Sequence, residues 1–297
     1  MSTIIEITVI SDKGTVVAND MIERAFSNFN RVVNKFSRFK ADSELSLLNN
    51  SRKGVPFKVS DELFFLIDFA FNLSAKSKGA FDPTIIDLLE LYGYSLKNNF
   101  SNLEKPGIYK EIKELALRRH KPNEVKLSES DHSVTLLSGQ RIDLGGIGKG
   151  YAIDLASKEL GESYLINAGG DIRAGGQNKD GRPWLISLAA EPLPNKTNIP
   201  FRQAEYGKME LNNQALAASG RFFRRKSFFH HLLDPRTGLP VNYTHQVFVR
   251  ASSALLADGW ATALFITGSE GFKSIPSSDK PLEAMIVDDS GHRLYNF

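Results

Sequence analysis

The chain has 297 residues, enough to bury a substantial core in one large domain or two ordinary ones. Hydrophobic residues at 41%, charged residues at 24%, and 23 glycines with 12 prolines are ordinary globular proportions, which excludes disordered, collagenous and low-complexity classes. The 37 basic and 34 acidic side chains leave +3, too weak a field to recruit nucleic acid or a membrane surface, and the lack of cysteine excludes disulfides, thiolate nucleophiles and cysteine-bound metals.

Met1-Ser2-Thr3-Ile4-Ile5-Glu6 has no basic region leading into a long apolar stretch, so it does not read as a secretory signal. The longest apolar runs, near Leu63 to Leu73 and Ala254 to Thr267, contain Asp68 and Asp258 and fall short of the roughly 20 residues that span a bilayer. The expectation is a protein without a transmembrane segment, cytoplasmic as written and periplasmic if a leader has been trimmed.

Alternation from Ile4 to Ile10 predicts a strand, and the spacing of Ile22, Ala25, Phe26, Phe29, Val32, Val33 and Phe36 predicts an amphipathic helix. Ser60-Asp61-Glu62 caps a second helix that ends before Gly79 and delivers the chain to Gly79-Ala80-Phe81-Asp82-Pro83-Thr84. Residues Asn98 to Lys105 read as a surface loop, followed by a charged helix from about Tyr109 to His120. Short strands are then expected at Glu124 to Leu127, Ser133 to Leu137, Tyr164 to Ile166, Trp184 to Leu188 and Gln246 to Arg250. Helices are expected at Ile147 to Leu160 and Ser253 to Phe265, and closing strands near Ala284 to Val287 and His292 to Tyr295. This order predicts an α+β fold with a mainly antiparallel sheet and packed helices. No short repeat and no clean linker divides it, so residues 1–297 read as a single intertwined unit.

Three constellations carry chemistry. Asp143-Leu144-Gly145-Gly146-Ile147-Gly148-Lys149-Gly150-Tyr151 is a glycine-rich turn running into a helix, where backbone N–H groups, the local dipole and Lys149 suit a phosphate. The spacing matches neither familiar nucleotide-binding template, and the glycines alternatively do no more than permit close strand-to-helix packing. Asp258 and Thr262 stand four apart on one helical face in an apolar run, where a carboxylate is costly unless compensated. A hard cation such as Mg2+ would compensate it; the alternative is that Asp258 caps a neighbouring backbone and Thr262 bonds its own helix. His231 precedes the turn Asp234-Pro235-Arg236-Thr237-Gly238, which is a competent turn without any function, and is a base, a ligand contact or a structural histidine.

Taken in order, these segments resemble the ApbE family, the FAD:protein FMN transferases. Met1-Ser2-Thr3, Ser37-Arg38-Phe39 with Asp42-Ser43-Glu44-Leu45 and Asn49, Gly79 to Thr84, Asp143 to Tyr151, Gly169-Gly170-Asp171, Ser219-Gly220, His231 to Gly238 and Ala257 to Thr262 all fall in the family's sequence. The resemblance implies a T-fold-like architecture that binds FAD, uses Mg2+, attaches FMN to a Thr or Ser hydroxyl of an acceptor flavoprotein and releases AMP. It implies Asp258, Thr262 and the Gly148 carbonyl as Mg2+ ligands. It implies FAD contacts at Met1, Phe39, Ala80, Phe81, Asp82, Gly145, Lys149 and Tyr151, and places His231 in the reacting region. Spacing leaves open whether His231 or Asp82 takes the acceptor's proton. Ala218 stands where the family commonly has Thr, and Arg221-Phe222-Phe223-Arg224 is bulkier and more basic than usual. Two other activities fit the same residues: an FAD pyrophosphatase giving free FMN and AMP, or a non-catalytic FAD-binding protein.

Overall fold

The computed structural model describes residues 3–94, 102, 105–118, 124–190, 205–221, 225–226, 229–279 and 282–296. In chain order the helices are α1 (Thr15–Phe36), α2 (Glu44–Asn49), α3 (Asp61–Lys76), α4 (Ile86–Leu91), α5 (Ile108–Arg118), α6 (Gly148–Ser157) and α7 (Ala254–Thr267). The strands are β1 (Ile5–Ile10), β2 (Phe57–Lys58), β3 (Val125–Ser128), β4 (Ser133–Leu136), β5 (Ser163–Ala168), β6 (Asp171–Gly175), β7 (Trp184–Ala189), β8 (Glu205–Leu211), β9 (Gln214–Gly220), β10 (Arg225–Lys226), β11 (Phe229–His230), β12 (Thr244–Ala251), β13 (Glu283–Asp288) and β14 (Arg293–Tyr295). They form two compact units, each drawn from separated stretches: Met1–Val33, Gly146–Gly220 and Asn242–Phe297 in the first, Asn34–Gly145 and Arg221–Val241 in the second.

The first unit is built on a seven-stranded sheet in the order β1-β5-β6-β9-β12-β13-β14, with every neighbouring pair antiparallel. β1 alternates between half-buried and exposed positions, as a strand with one covered face must. β12 is different: it runs between β9 and β13, and seven of its eight residues are buried, so its sequence is a nearly continuous apolar run after Gln246. Ile172, Leu216, Phe248, Met285 and Val287 form a core cluster with Ile186, Leu188 and Leu211 from the β7–β8 hairpin.

α7 packs against β9 and β12 and against α6. Its mean hydropathy is high all round, the pattern of a helix covered on every side. Trp260 and Phe265 are 1% and 0% exposed, each worth roughly 1.5–3 kcal/mol of burial; the Trp260 indole N–H reaches Asp279 Oδ2 at 2.9 Å. Ser253 caps the helix by accepting the Leu256 N–H at 3.2 Å.

The second unit carries the three-stranded sheet β2-β4-β3 and helices α2 to α5. Ser60 caps α3 by accepting the Leu63 N–H, and Leu63, Leu66 and Ile67 on its buried face have no exposure. Leu88, Leu89 and Tyr92 form a second cluster with Ile108 and Ile112 of α5 and with Leu233. Gly79, with φ +78, ends the α3 segment in the left-handed region that glycine adopts without strain.

The predicted strands and helices all find counterparts, with two kinds of difference. α1 starts at Thr15, seven residues before Ile22, because its first turns are exposed (Val16 is 84% exposed) and so leave no buried periodicity. α2, α4, β2, β6, β8, β9, β10 and β11 were not foreseen, and Ser219-Gly220 closes β9. Most of the predicted loop at Asn98 to Lys105 lies outside the described residues.

Candidate active site

In the first unit the chemistry gathers where α6 and α7 begin. The glycine-rich turn becomes α6 at Gly148, and its N-cap, Ile147, offers no side-chain hydrogen bond. Asp258, one turn into α7, accepts the Gly150 N–H through Oδ2 at 3.0 Å. Asp154 of α6 returns the favour, accepting the Ala254 and Leu255 N–H groups at 2.9 and 2.8 Å. Each helix therefore has amides near its start satisfied by a carboxylate of the other. Contact is close: a Cβ on Gly150 would lie 2.2 Å from the Ala254 carbonyl oxygen. Burial pushes the Asp154 carboxyl above its usual range, against the pull of Arg173, whose Nη1 sits 2.8 Å away, and of the two amides.

Lys149 joins two buried carboxylates. Its ammonium pairs with Asp171 Oδ2 and stands 3.6 Å from Asp258 Oδ1. The Asp171 and Asp258 side chains are 1% and 6% exposed, against 24% for Lys149. Asp171 is anchored at the head of β6, where Oδ1 accepts the Ala218 N–H at 3.2 Å. Thr262, half-buried, follows Asp258 by one turn on the same face of α7, and Tyr151 is buried in the first turn of α6. Asp258, Thr262 and the Gly148 carbonyl are all hard oxygen donors, the kind Mg2+ takes, and a cationic group already lies within reach of Asp258. Among the described residues no three His, Cys, Asp or Glu side chains form a metal-binding group, so a metal here would keep water or substrate oxygens in its shell.

In the second unit a chain of contacts links the other predicted residues. The Arg38 guanidinium lies 4.0 Å over the ring of Phe39, which is 40% exposed, and pairs with Asp143. The Asp143 N–H donates to the Pro83 carbonyl at 2.7 Å, and Asp143 Oδ1 accepts the Gly145 N–H. Phe39, Gly145 and the Ala80-Phe81-Asp82 loop are thereby tied together. Within that loop Ala80, Phe81 and Asp82 are buried, and Asp82 Oδ1 holds the turn by accepting the Thr84 N–H at 2.7 Å and its hydroxyl at 2.6 Å.

The two adjacent histidines separate by environment. His230 is 1% exposed; its Nδ1 accepts the Leu232 N–H at 3.2 Å, which leaves Nε2 to donate to the Val241 carbonyl at 3.0 Å. His231 is half-buried and stacks on Tyr94 with ring centroids 6.0 Å apart. The following turn is pinned by the Tyr92 hydroxyl, which donates to the Gly238 carbonyl at 2.7 Å. Met1 and Phe222 to Arg224 lie outside the described residues. Asp154 and Asp171 were not singled out as site residues from the sequence. The signal for Asp154 was the same as for Asp258, a lone acid in an apolar helical run.

A family model described as the ApbE family matches residues 1–286. The chain belongs to the ApbE family. Among solved structures, the ApbE protein from Thermotoga maritima superposes with a TM-score of 0.82 at 29% identity, over 98% of this chain and 92% of that one. The flavin transferase ApbE from Vibrio cholerae superposes at 0.81 with 24% identity, over 99% and 94%, a likeness of fold. Two curated relatives are called FAD:protein FMN transferase. The one from Vibrio cholerae is 28% identical over 275 residues, 89% of this chain and 78% of the relative, and that from Haemophilus influenzae 29% over 279 residues, 87% and 76%. The ApbE architecture is the α+β, T-fold-like one expected, its sheets mainly antiparallel. Among the described residues of this ApbE chain, no helix is long and apolar enough to cross a membrane.

Proposed function

We propose that this chain transfers FMN from FAD to a Thr or Ser hydroxyl of an acceptor flavoprotein. The acceptor oxygen attacks the phosphorus that bears the riboflavin, the bond to the bridging oxygen breaks, AMP leaves with that oxygen, and the hydroxyl proton passes to a base. The observation that carries this reading is the start of α6 beside Asp258, where helix amides, an ammonium and a buried carboxylate lie together. Family membership supports it, as do the relatives called FAD:protein FMN transferase.

Asp258, Thr262 and the Gly148 carbonyl would hold Mg2+, which supplies neutralisation of the charge that builds on the phosphoryl oxygens. The α6 amides and Lys149 attract and orient the pyrophosphate. Phe39, with an exposed face under Arg38, offers a stacking surface for a flavin or adenine ring. The family resemblance assigns Met1, Ala80, Phe81, Asp82, Gly145 and Tyr151 to FAD binding as well. His231 is assigned the acceptor's proton: its imidazole is half-buried, whereas Asp82 is buried with Oδ1 committed to Thr84.

Incubation with FAD, Mg2+ and a candidate acceptor, followed by intact-mass analysis, tests the reading. An acceptor heavier by one FMN, with one AMP released per transfer, is expected. Free FMN with an unmodified acceptor would make the protein a pyrophosphatase, and unchanged FAD would make it a binding protein.

A further inference from the structure

We infer that Lys149 is a built-in stand-in for the divalent cation: in the metal-free protein its ammonium is shared between Asp171 and Asp258, and metal entry drives it away from Asp258 and leaves it on Asp171 alone. The inference rests on the Mg2+ reading of Asp258 and goes beyond it, because it assigns the lysine a role before any ligand arrives. Lys149 is pulled by two carboxylates at once, paired with Asp171 and 3.6 Å from Asp258. Neither carboxylate is exposed enough to be solvated well, at 1% and 6% for the side chains, so each gains from a cation within reach.

The two are not equivalent. Asp171 is fixed by the Ala218 N–H and takes the shorter contact, so it is a tether. Asp258 also accepts the Gly150 N–H, which holds its carboxylate at the start of α6 whether the lysine is near or not. A divalent ion on Asp258 would lie beside the ammonium and repel it, and a retreat toward Asp171 keeps the lysine paired. Asp171 is thus a positioning residue that acts through Lys149. The site is kept neutralised without metal, and each metal ion that binds must first compete with a resident charge.

The test uses Mn2+ as the probe, with its binding followed by the loss of its free-ion electron paramagnetic resonance signal, with and without FAD. Lys149→Met keeps the length of the side chain and removes the charge, and is expected to bind Mn2+ more tightly by about tenfold or more. Tightening is not what local damage would give, since a disordered site binds worse. Equal or weaker binding by Lys149→Met overturns the inference and leaves the metal reading standing; no binding by either protein, with or without FAD, overturns both. Should Lys149→Met not fold, the wild type decides by labelling with an amine-reactive reagent and peptide mass mapping. Lys149 is expected to be labelled several-fold more slowly once Mg2+ is added, because it withdraws onto the more buried Asp171, and an unchanged or faster rate overturns the inference.

Discussion

At the scale of single residues, two aspartates that look alike in sequence do different work. Asp258 carries a carboxylate beside a cation, and its removal leaves apolar packing on α7 largely untouched. Asp258→Ala is therefore expected to abolish FMN transfer with the far-ultraviolet circular dichroism unchanged, while the Gly150 N–H left without its acceptor costs about 1–3 kcal/mol in chemical unfolding; full transfer under controlled Mg2+ would count against the assignment. Asp154 also accepts backbone amides and pairs with Arg173, but it faces no proposed metal. Burial raises its carboxyl above the usual carboxylate range, against Arg173 and the Ala254 and Leu255 amides. A carboxyl that holds its proton more tightly when folded contributes stability that is complete below its unfolded value and disappears as pH climbs through the raised one. Urea unfolding between roughly pH 3 and pH 7 should show the wild type losing stability relative to Asp154→Asn as pH rises; a gain would reverse the sign of the argument.

At the scale of elements, the decisive contact is that between the first turns of α6 and α7. Gly150→Ala would gain up to about 1 kcal/mol of helix propensity, but the new Cβ lands 2.2 Å from the Ala254 carbonyl oxygen, on backbone that cannot turn aside. Overpacking of this kind costs roughly 1–3 kcal/mol, so the variant should be less stable in chemical unfolding and, because α6 shifts against Asp258, slower in transfer. Legibility in the sequence follows the same physics. β1, α3 and α7 were readable because burial imprints a period or an unbroken apolar run on them. β9 was not: Gln214-Ala215-Leu216-Ala217-Ala218-Ser219-Gly220 has no β-branched or aromatic residue, and small side chains there make room for α7, which packs directly against it. Asp258, Thr262, Lys149 and the glycine turn stood out as chemistry in the wrong surroundings, a charge or a run of glycines where a core helix was expected. Asp171 was legible only as the end of the Gly169-Gly170-Asp171 segment and not as a site residue, because an acid after two glycines looks like an ordinary turn until its burial is seen.

At the scale of the molecule, ligand binding and folding are linked. FAD supplied with Mg2+ at about a hundredfold its dissociation constant should add about 2.7 kcal/mol to the native state, a rise of about 4 °C in the thermal midpoint of a chain this size; no rise would mean that the folded protein does not hold the dinucleotide. The discontinuous make-up of the two units has a further consequence for biosynthesis. The longer segment of the second unit, Asn34–Gly145, is complete when half the polypeptide has been made, whereas the first waits for Asn242–Phe297, which brings β12 and α7. Until then β9 pairs only with β6 and lacks β12 on its other edge, and the apolar residues meant for α7 have nothing to cover them. A ribosome that stalls or terminates before β12 would thus release a nascent product with a raw strand edge, a substrate for chaperones and proteases rather than a smaller working enzyme.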